Sequence, residues 1–173
     1  MKILKNLLAV LSLFIGTSAL AAMPKVGDVA PAFQGTDQNG NPVKSSDIIG
    51  KKVVLLYFYP KDFTGGCTAE ACGFRDRMSD LQKDNVEVIG VSFDNVDKHK
   101  KFEQKYNLNF TLLADPDGKI VDAYGARMGV LKMSRRVSFL IGLDGKVAHV
   151  TDSMSPKVHF EEMKTAIDSL PKS

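Results

Sequence analysis

Seven consecutive apolar residues, VVLLYFY at 53–59, constrain this chain more than any other feature in it. A half-exposed strand alternates apolar with polar residues, whereas an unbroken β-branched and aromatic run of this length reads as a strand buried on both faces in the middle of a sheet. VEVIGVSF at 86–93 and RRVSFLI at 135–141 repeat the pattern, and FTLLAD at 110–115 is a shorter strand candidate. A helical pattern fills the space between the first two, and NVDKHKKFEQKYN at 95–107 gives a second helix that opens on an Asn. Strand, helix, strand, helix, strand predicts an α/β layer fold with a central sheet flanked by helices.

Turn chemistry completes the outline. QNGN at 38–41 sits between short extended pieces and predicts an N-terminal hairpin. Asp115-Pro116-Asp117-Gly118 punctuates the middle of the chain, and Asp144-Gly145 joins the strand at Val137–Ile141 to KVAHVT as a second hairpin. The last element is a helix with Phe160, Met163, Ile167 and Leu170 on one stripe.

Residues 1–21 read as an export signal. Lys2 and Lys5 give a positive start, Leu7 to Ile15 is apolar apart from Ser12, and Ala19-Leu20-Ala21 is an A-x-A cleavage site, with cleavage expected after Ala21. A retained membrane anchor would need about 20 uninterrupted apolar residues, which this stretch lacks. No cysteine follows the site to carry a lipid. The expected mature chain, Ala22 to Ser173, is then one domain in an exported, periplasm-like compartment. Losing Lys2 and Lys5 lowers the net charge from +3 to +1. With no basic stripe carrying interleaved aromatics, nucleic acid is not an expected partner, and Lys98-His99-Lys100-Lys101 reads as a solvated helix face.

The two cysteines, Cys67 and Cys72, are the chemistry-bearing residues. From Cys67, apolar residues recur at Ala71, Phe74, Met78 and Leu81, so Cys67 heads a buried helical stripe. Cys72 projects about 140° away on the same helix, and the two Cα atoms lie ~8.7 Å apart, beyond the roughly 7 Å that a disulfide bridges without backbone movement. A permanent staple, the default for an exported chain, is therefore excluded while the segment is helical. Zinc would need four ligands at short spacings, and His99, His149 and His159 are scattered and read as surface residues. Reactive chemistry is the third reading. At a helix N-terminus, unpaired N–H groups and the helix dipole favour a thiolate, which is the nucleophilic form. Thr64 can cap that helix or turn its hydroxyl to the sulfur, and Gly65 and Gly66 let the backbone come close.

Taken together, YFYPKDFTGGCTAEACGFRD resembles the peroxiredoxins, whose signature of Pro, three residues, Thr, two residues and Cys is matched by Pro60, Thr64 and Cys67. A second Cys five positions on is similar to the bacterioferritin-comigratory, or PrxQ, subgroup. The likeness continues through FTLLADPDGKIVDAYG and RRVSFLIGLDGKVAHV. It implies a thioredoxin-like fold, no cofactor or metal, a peroxide substrate, a thioredoxin-like reductant as partner, and a monomer. By the same resemblance Cys67 is the peroxidatic residue that becomes a sulfenic acid, and Cys72 resolves it as a disulfide. Thr64 hydrogen-bonds the reacting oxygen, Pro60 shields the sulfur, and Arg136 holds the thiolate and polarises the peroxide. Strand alternation allows only one of Arg135 and Arg136 to face inward, and the resemblance implies that it is Arg136, the residue preceding the apolar run. Preorganised donors of this kind suit an O–O bond that gains negative charge as it stretches.

The chain departs from the subgroup at Gly65, where Pro is usual, and in the shorter stretch GARMGVLKMS at 125–134. Gly73, inside the helix, is expected to ease the opening that a Cys67–Cys72 bond requires. Two other functions compete. An envelope thiol–disulfide oxidoreductase normally has two residues between its cysteines and a Trp before the first, and this chain has four and no Trp. A redox module holding Cu(I) through Cys67, Cys72 and a methionine is the other.

Overall fold

In the computed structural model, which describes residues 21–171, seven strands form one mixed sheet in the order β2-β1-β5-β4-β3-β6-β7. The export signal, apart from Ala21, lies outside the described residues. The central strand is β3 (Val53–Phe58), formed by the apolar run and buried at every position. It pairs in parallel with β4 (Val86–Ser92) and antiparallel with β6 (Val137–Ile141). Outward lie β5 (Thr111–Ala114) and the hairpin β1 (Gln34–Asp37) and β2 (Pro42–Lys44) on one side, and β7 (Val147–Asp152) on the other.

The two-residue period of β3 divides the core. Val53, Leu55, Tyr57 and Tyr59 point to the face covered by α1 (Gly65–Lys83) and α4 (Pro156–Asp168), with Phe102 from α2 (Val96–Tyr106) at its edge. Val54, Leu56 and Phe58 point to the opposite face, beneath α3 (Lys119–Ala123) and the N-terminal residues Ala30 and Phe33. The expected α1 stripe holds, since Cys67, Ala71, Phe74 and Met78 are all buried against the sheet.

The expected strands, hairpins and three long helices are all present. Asn95 caps α2 by accepting the Lys98 amide at 3.0 Å. The short α3 has no periodic signature of its own. It is started by Asp115 of the preceding turn, whose carboxylate accepts the amides of Ile120 at 2.9 Å and Val121 at 2.8 Å. No helix among the described residues is long and apolar enough to cross a membrane.

Two histidine expectations are overturned. His99 and His159 are fully buried, because each turns inward from its helix onto polar partners. The solvated face of α2 therefore consists of its lysines without His99. Only His149 stays partly open, 3.3 Å from Glu162.

Candidate active site

Where β3 ends, the chain makes a tight reversal before entering α1. Phe63 takes a left-handed backbone with φ of 65°, which is costly for a residue with a side chain. The surroundings hold it there. The Phe63 ring packs edge-on against Phe102 at 5.1 Å. Asp62, just before it, is buried and accepts from the Tyr59 hydroxyl at 2.7 Å. Its second oxygen faces His99 Nδ1 at 2.8 Å, while His99 Nε2 faces the Leu113 carbonyl at 3.2 Å. The Asp62 amide in turn donates to Asp94 at 2.8 Å. Tyr59, Asp62 and His99 thus strap the loop carrying Pro60 and Thr64 to the core.

Thr64 occupies the N-cap position of α1 with extended backbone, and its carbonyl accepts the Thr68 amide at 2.8 Å. Its hydroxyl performs neither expected task, neither capping the helix nor bonding to sulfur: it donates to the Lys61 carbonyl at 3.0 Å. The first amides of α1 are therefore left without a side-chain acceptor, as a helix end that receives an anion requires. Pro60 is half-buried at the end of the strand and Thr64 is exposed at the loop tip.

Cys67, in the first turn of α1, is 1% exposed. Arg136 lies across from it, on the residue before β6, and donates from Nη2 to Cys67 Sγ at 3.3 Å. The register that pairs Phe58 with Val137 brings the end of β3 and the start of β6 together, which is why residues 69 positions apart meet here. Alternation works as expected: Arg135 points outward to an ion pair with Asp152, and Arg136 points in. Gly66 leaves the room, since a Cβ there would sit 3.0 Å from Arg136 Nη2.

Sequence reasoning missed Glu70. It is fully buried, its Oε2 pairs with Arg136 Nη1, and its Oε1 lies 3.7 Å from His159 Nδ1. Burial pushes the Glu70 carboxyl up to about 7, against the pull of Arg136. Burial also lowers His159, whose Nε2 faces the Ser153 carbonyl at 2.8 Å. That nitrogen donates, which leaves Nδ1 to accept the Ser138 hydroxyl at 2.7 Å. Arg136 itself is depressed by burial, but its neighbours Glu70 and Cys67 more than compensate, so it stays firmly protonated. The missed signal is a spacing: an acidic residue three after Cys67 lies on the same buried face of the helix.

Cys72 does not join this group. It is half-buried on another side of α1, and both sulfurs are free thiols. A surface cleft of about 480 Å³ is bounded by Arg127, Met128, Arg135, Arg136, Asp152 and Met154.

Residues 26–150, which carry Pro60, Thr64, Cys67, Glu70 and Arg136, match the AhpC/TSA family. The chain belongs to that family. It is similar to peroxiredoxin Bcp of Escherichia coli K12, at 43% identity over 143 residues, covering 79% of this chain and 91% of the relative. Chloroplastic peroxiredoxin Q of Suaeda salsa is 37% identical over 155 residues, covering 88% of this chain and 72% of the relative. Among solved structures, peroxidoxin BcpB of Mycobacterium tuberculosis superposes with a TM-score of 0.80 at 32% identity, covering 86% of this chain and 99% of that one. This peroxiredoxin has the thioredoxin-like fold and is a thiol-dependent peroxidase. The two rival functions lose their footing in it. Cys67 and Cys72 sit on different sides of one continuous helix and do not converge on a shared ion, and the cysteine spacing is not that of a disulfide exchanger.

Proposed function

We propose that Cys67 is the peroxidatic nucleophile and Cys72 the resolving thiol of this peroxidase, acting on hydrogen peroxide or organic hydroperoxides. The observation that carries the assignment is the buried Cys67 sulfur at the start of α1 with Arg136 Nη2 at 3.3 Å. The Cys67 thiolate attacks one peroxide oxygen. The S–O bond forms as the O–O bond breaks, and the departing oxygen takes a proton to leave as water or an alcohol. Charge grows on both oxygens along this path, and Arg136 with the uncapped α1 amides stands ready to meet it. Thr64, one turn before Cys67, supplies a hydroxyl that leaves its Lys61 partner for the incoming peroxide, and Pro60 walls off the sulfur from bulk water.

The Cys72 sulfur then attacks the Cys67 sulfenic acid, forming a disulfide and releasing water. A dithiol of the thioredoxin type returns both thiols by exchange. The positive start, apolar core and A-x-A ending of residues 1–21 support export to the periplasm, where the mature domain, residues 22–173, acts as a monomer away from the membrane. Its reductant is then an envelope protein.

The test uses reduced mature protein with one equivalent of hydrogen peroxide, followed by rapid quench and intact mass. The wild type should form an internal disulfide, Cys72→Ser should stop at sulfenic acid, and Cys67→Ser should be inert. A Cys67 that reacts no faster than a free thiol refutes the assignment. Cell fractionation with N-terminal sequencing tests export, and a chain recovered in the cytoplasm with Met1 intact overturns that part.

A further inference from the structure

Cys67 and Cys72 lie on one unbroken helix, so a bond between them requires α1 to open. What resists the opening is visible one residue beyond Cys72. Gly73 has no side chain, and the ring of Phe160 from α4 fills its place: a Cβ on Gly73 would lie 2.1 Å from Phe160 Cζ and 2.5 Å from Cε2. The ring meets Phe74 edge-on with centroids 5.0 Å apart. The Arg77 guanidinium lies over it, 4.6 Å from its centre. Arg77 closes the cluster by donating from Nη1 to the Gly73 carbonyl at 2.8 Å. One aromatic ring is thus gripped by residues 73, 74 and 77, immediately after Cys72.

We propose that Phe160 is a positioning residue of the resolving step, its ring holding α1 closed at Gly73 and so setting how often Cys72 is released toward Cys67. The proposal rests on the reading of Cys72 as the resolving thiol. It also revises the expected role of Gly73. Helix propensity alone makes Gly73→Ala close the helix more firmly, by about 1 kcal/mol, the free-energy equivalent of roughly fivefold in rate. The added methyl would also expel the Phe160 ring, which opens it. The two effects oppose each other in the wild type and separate once Phe160 has been removed.

The step concerned is Cys67–SOH plus Cys72–SH giving the disulfide and water. Sulfenic acid formation precedes it at the Cys67 and Arg136 side of α1, whereas the Phe160 ring packs on Gly73, Phe74 and Arg77. The test is rapid-quench mass spectrometry of reduced protein with one equivalent of hydrogen peroxide, since the disulfide is lighter than the sulfenic acid by one water. Phe160→Ala should form the sulfenic acid at the wild-type rate and close the disulfide about five- to seventyfold faster, the range expected from losing an aromatic pair and a cation–π contact together. Phe160→Leu, which keeps more of the apolar volume, should fall between and serves if the alanine variant does not fold. Gly73→Ala placed on Phe160→Ala should slow closure again. An unchanged closure rate in Phe160→Ala or Phe160→Leu overturns the proposal. A wild type that forms sulfenic acid and never the disulfide refutes the resolving role of Cys72 itself, and the proposal with it.

Discussion

Glu70 offers the sharpest quantitative test of the electrostatics around Arg136. Its carboxyl has an ordinary value of 4.5 and is pushed up to about 7 in the folded protein. Between these values the native state holds a proton that the unfolded state has released, so stability falls as pH rises. Its contribution is fully present below about 4.5 and gone once pH has passed about 7. At about 1.4 kcal/mol per pH unit across that gap, the whole effect is about 3 kcal/mol. Glu70→Gln mimics the protonated form and removes the titration, while its weaker grip on Arg136 adds an offset that does not depend on pH. The assay is urea unfolding from pH 4.5 to 8, with both proteins in a Cys67→Ser background so that the thiol cannot be oxidised during the measurement. The protein that keeps Glu70 should lose about 3 kcal/mol relative to the Glu70→Gln variant across the range. Two curves that run parallel would show that Glu70 is already ionised throughout, and that Arg136 outweighs burial.

Arg136→Lys should slow the reaction of Cys67 with peroxide by about 10²–10³-fold, because an ammonium cannot serve Glu70 and the sulfur from two nitrogens at once; competition kinetics against a reference peroxidase reads this. Asp62→Ala leaves the buried His99 and Tyr59 groups without their acceptor and should cost about 3 kcal/mol or more in urea unfolding, with loss of peroxide reactivity as the Pro60–Thr64 loop comes free. Gly65→Pro should raise stability by about 0.4–1 kcal/mol, since position 65 is the first residue of α1, Thr64 before it is extended, and nothing lies within 4 Å of a Cβ there. A lower urea midpoint in Gly65→Pro would mean that the loop needs its glycine.

What the sequence revealed and what it hid divide along a physical line. Periodicity is local, so the run at 53–59 and the α1 stripe headed by Cys67 could be read from neighbouring residues, whereas alternation left Arg135 and Arg136 as equals and only the family resemblance put Arg136 inward. The helix register likewise showed that Cys72 stands apart from Cys67. Partnerships were not legible, because Asp62 finds His99 across 37 positions and Glu70 finds Arg136 across 66. His99 and His159 looked like surface residues for that reason: nothing beside them in the chain announces the acceptors waiting in the core. The Thr64 hydroxyl was ambiguous on the same ground, since its choice of Lys61 depends on the left-handed turn at Phe63. Gly73 was legible as a helix weakness, but the ring that rests on it comes from another helix.

The separation of the two cysteines along a single intact helix has one more consequence. A peroxide is a few atoms wide and meets a folded crevice; a protein reductant is far larger and needs an accessible sulfur–sulfur bond. On the proposed assignment that bond forms only after the helix has come undone, so the two reactants would be received by two different shapes of the same molecule, one after the other. In that scheme the oxidation state of one pair of atoms decides which visitor is admitted.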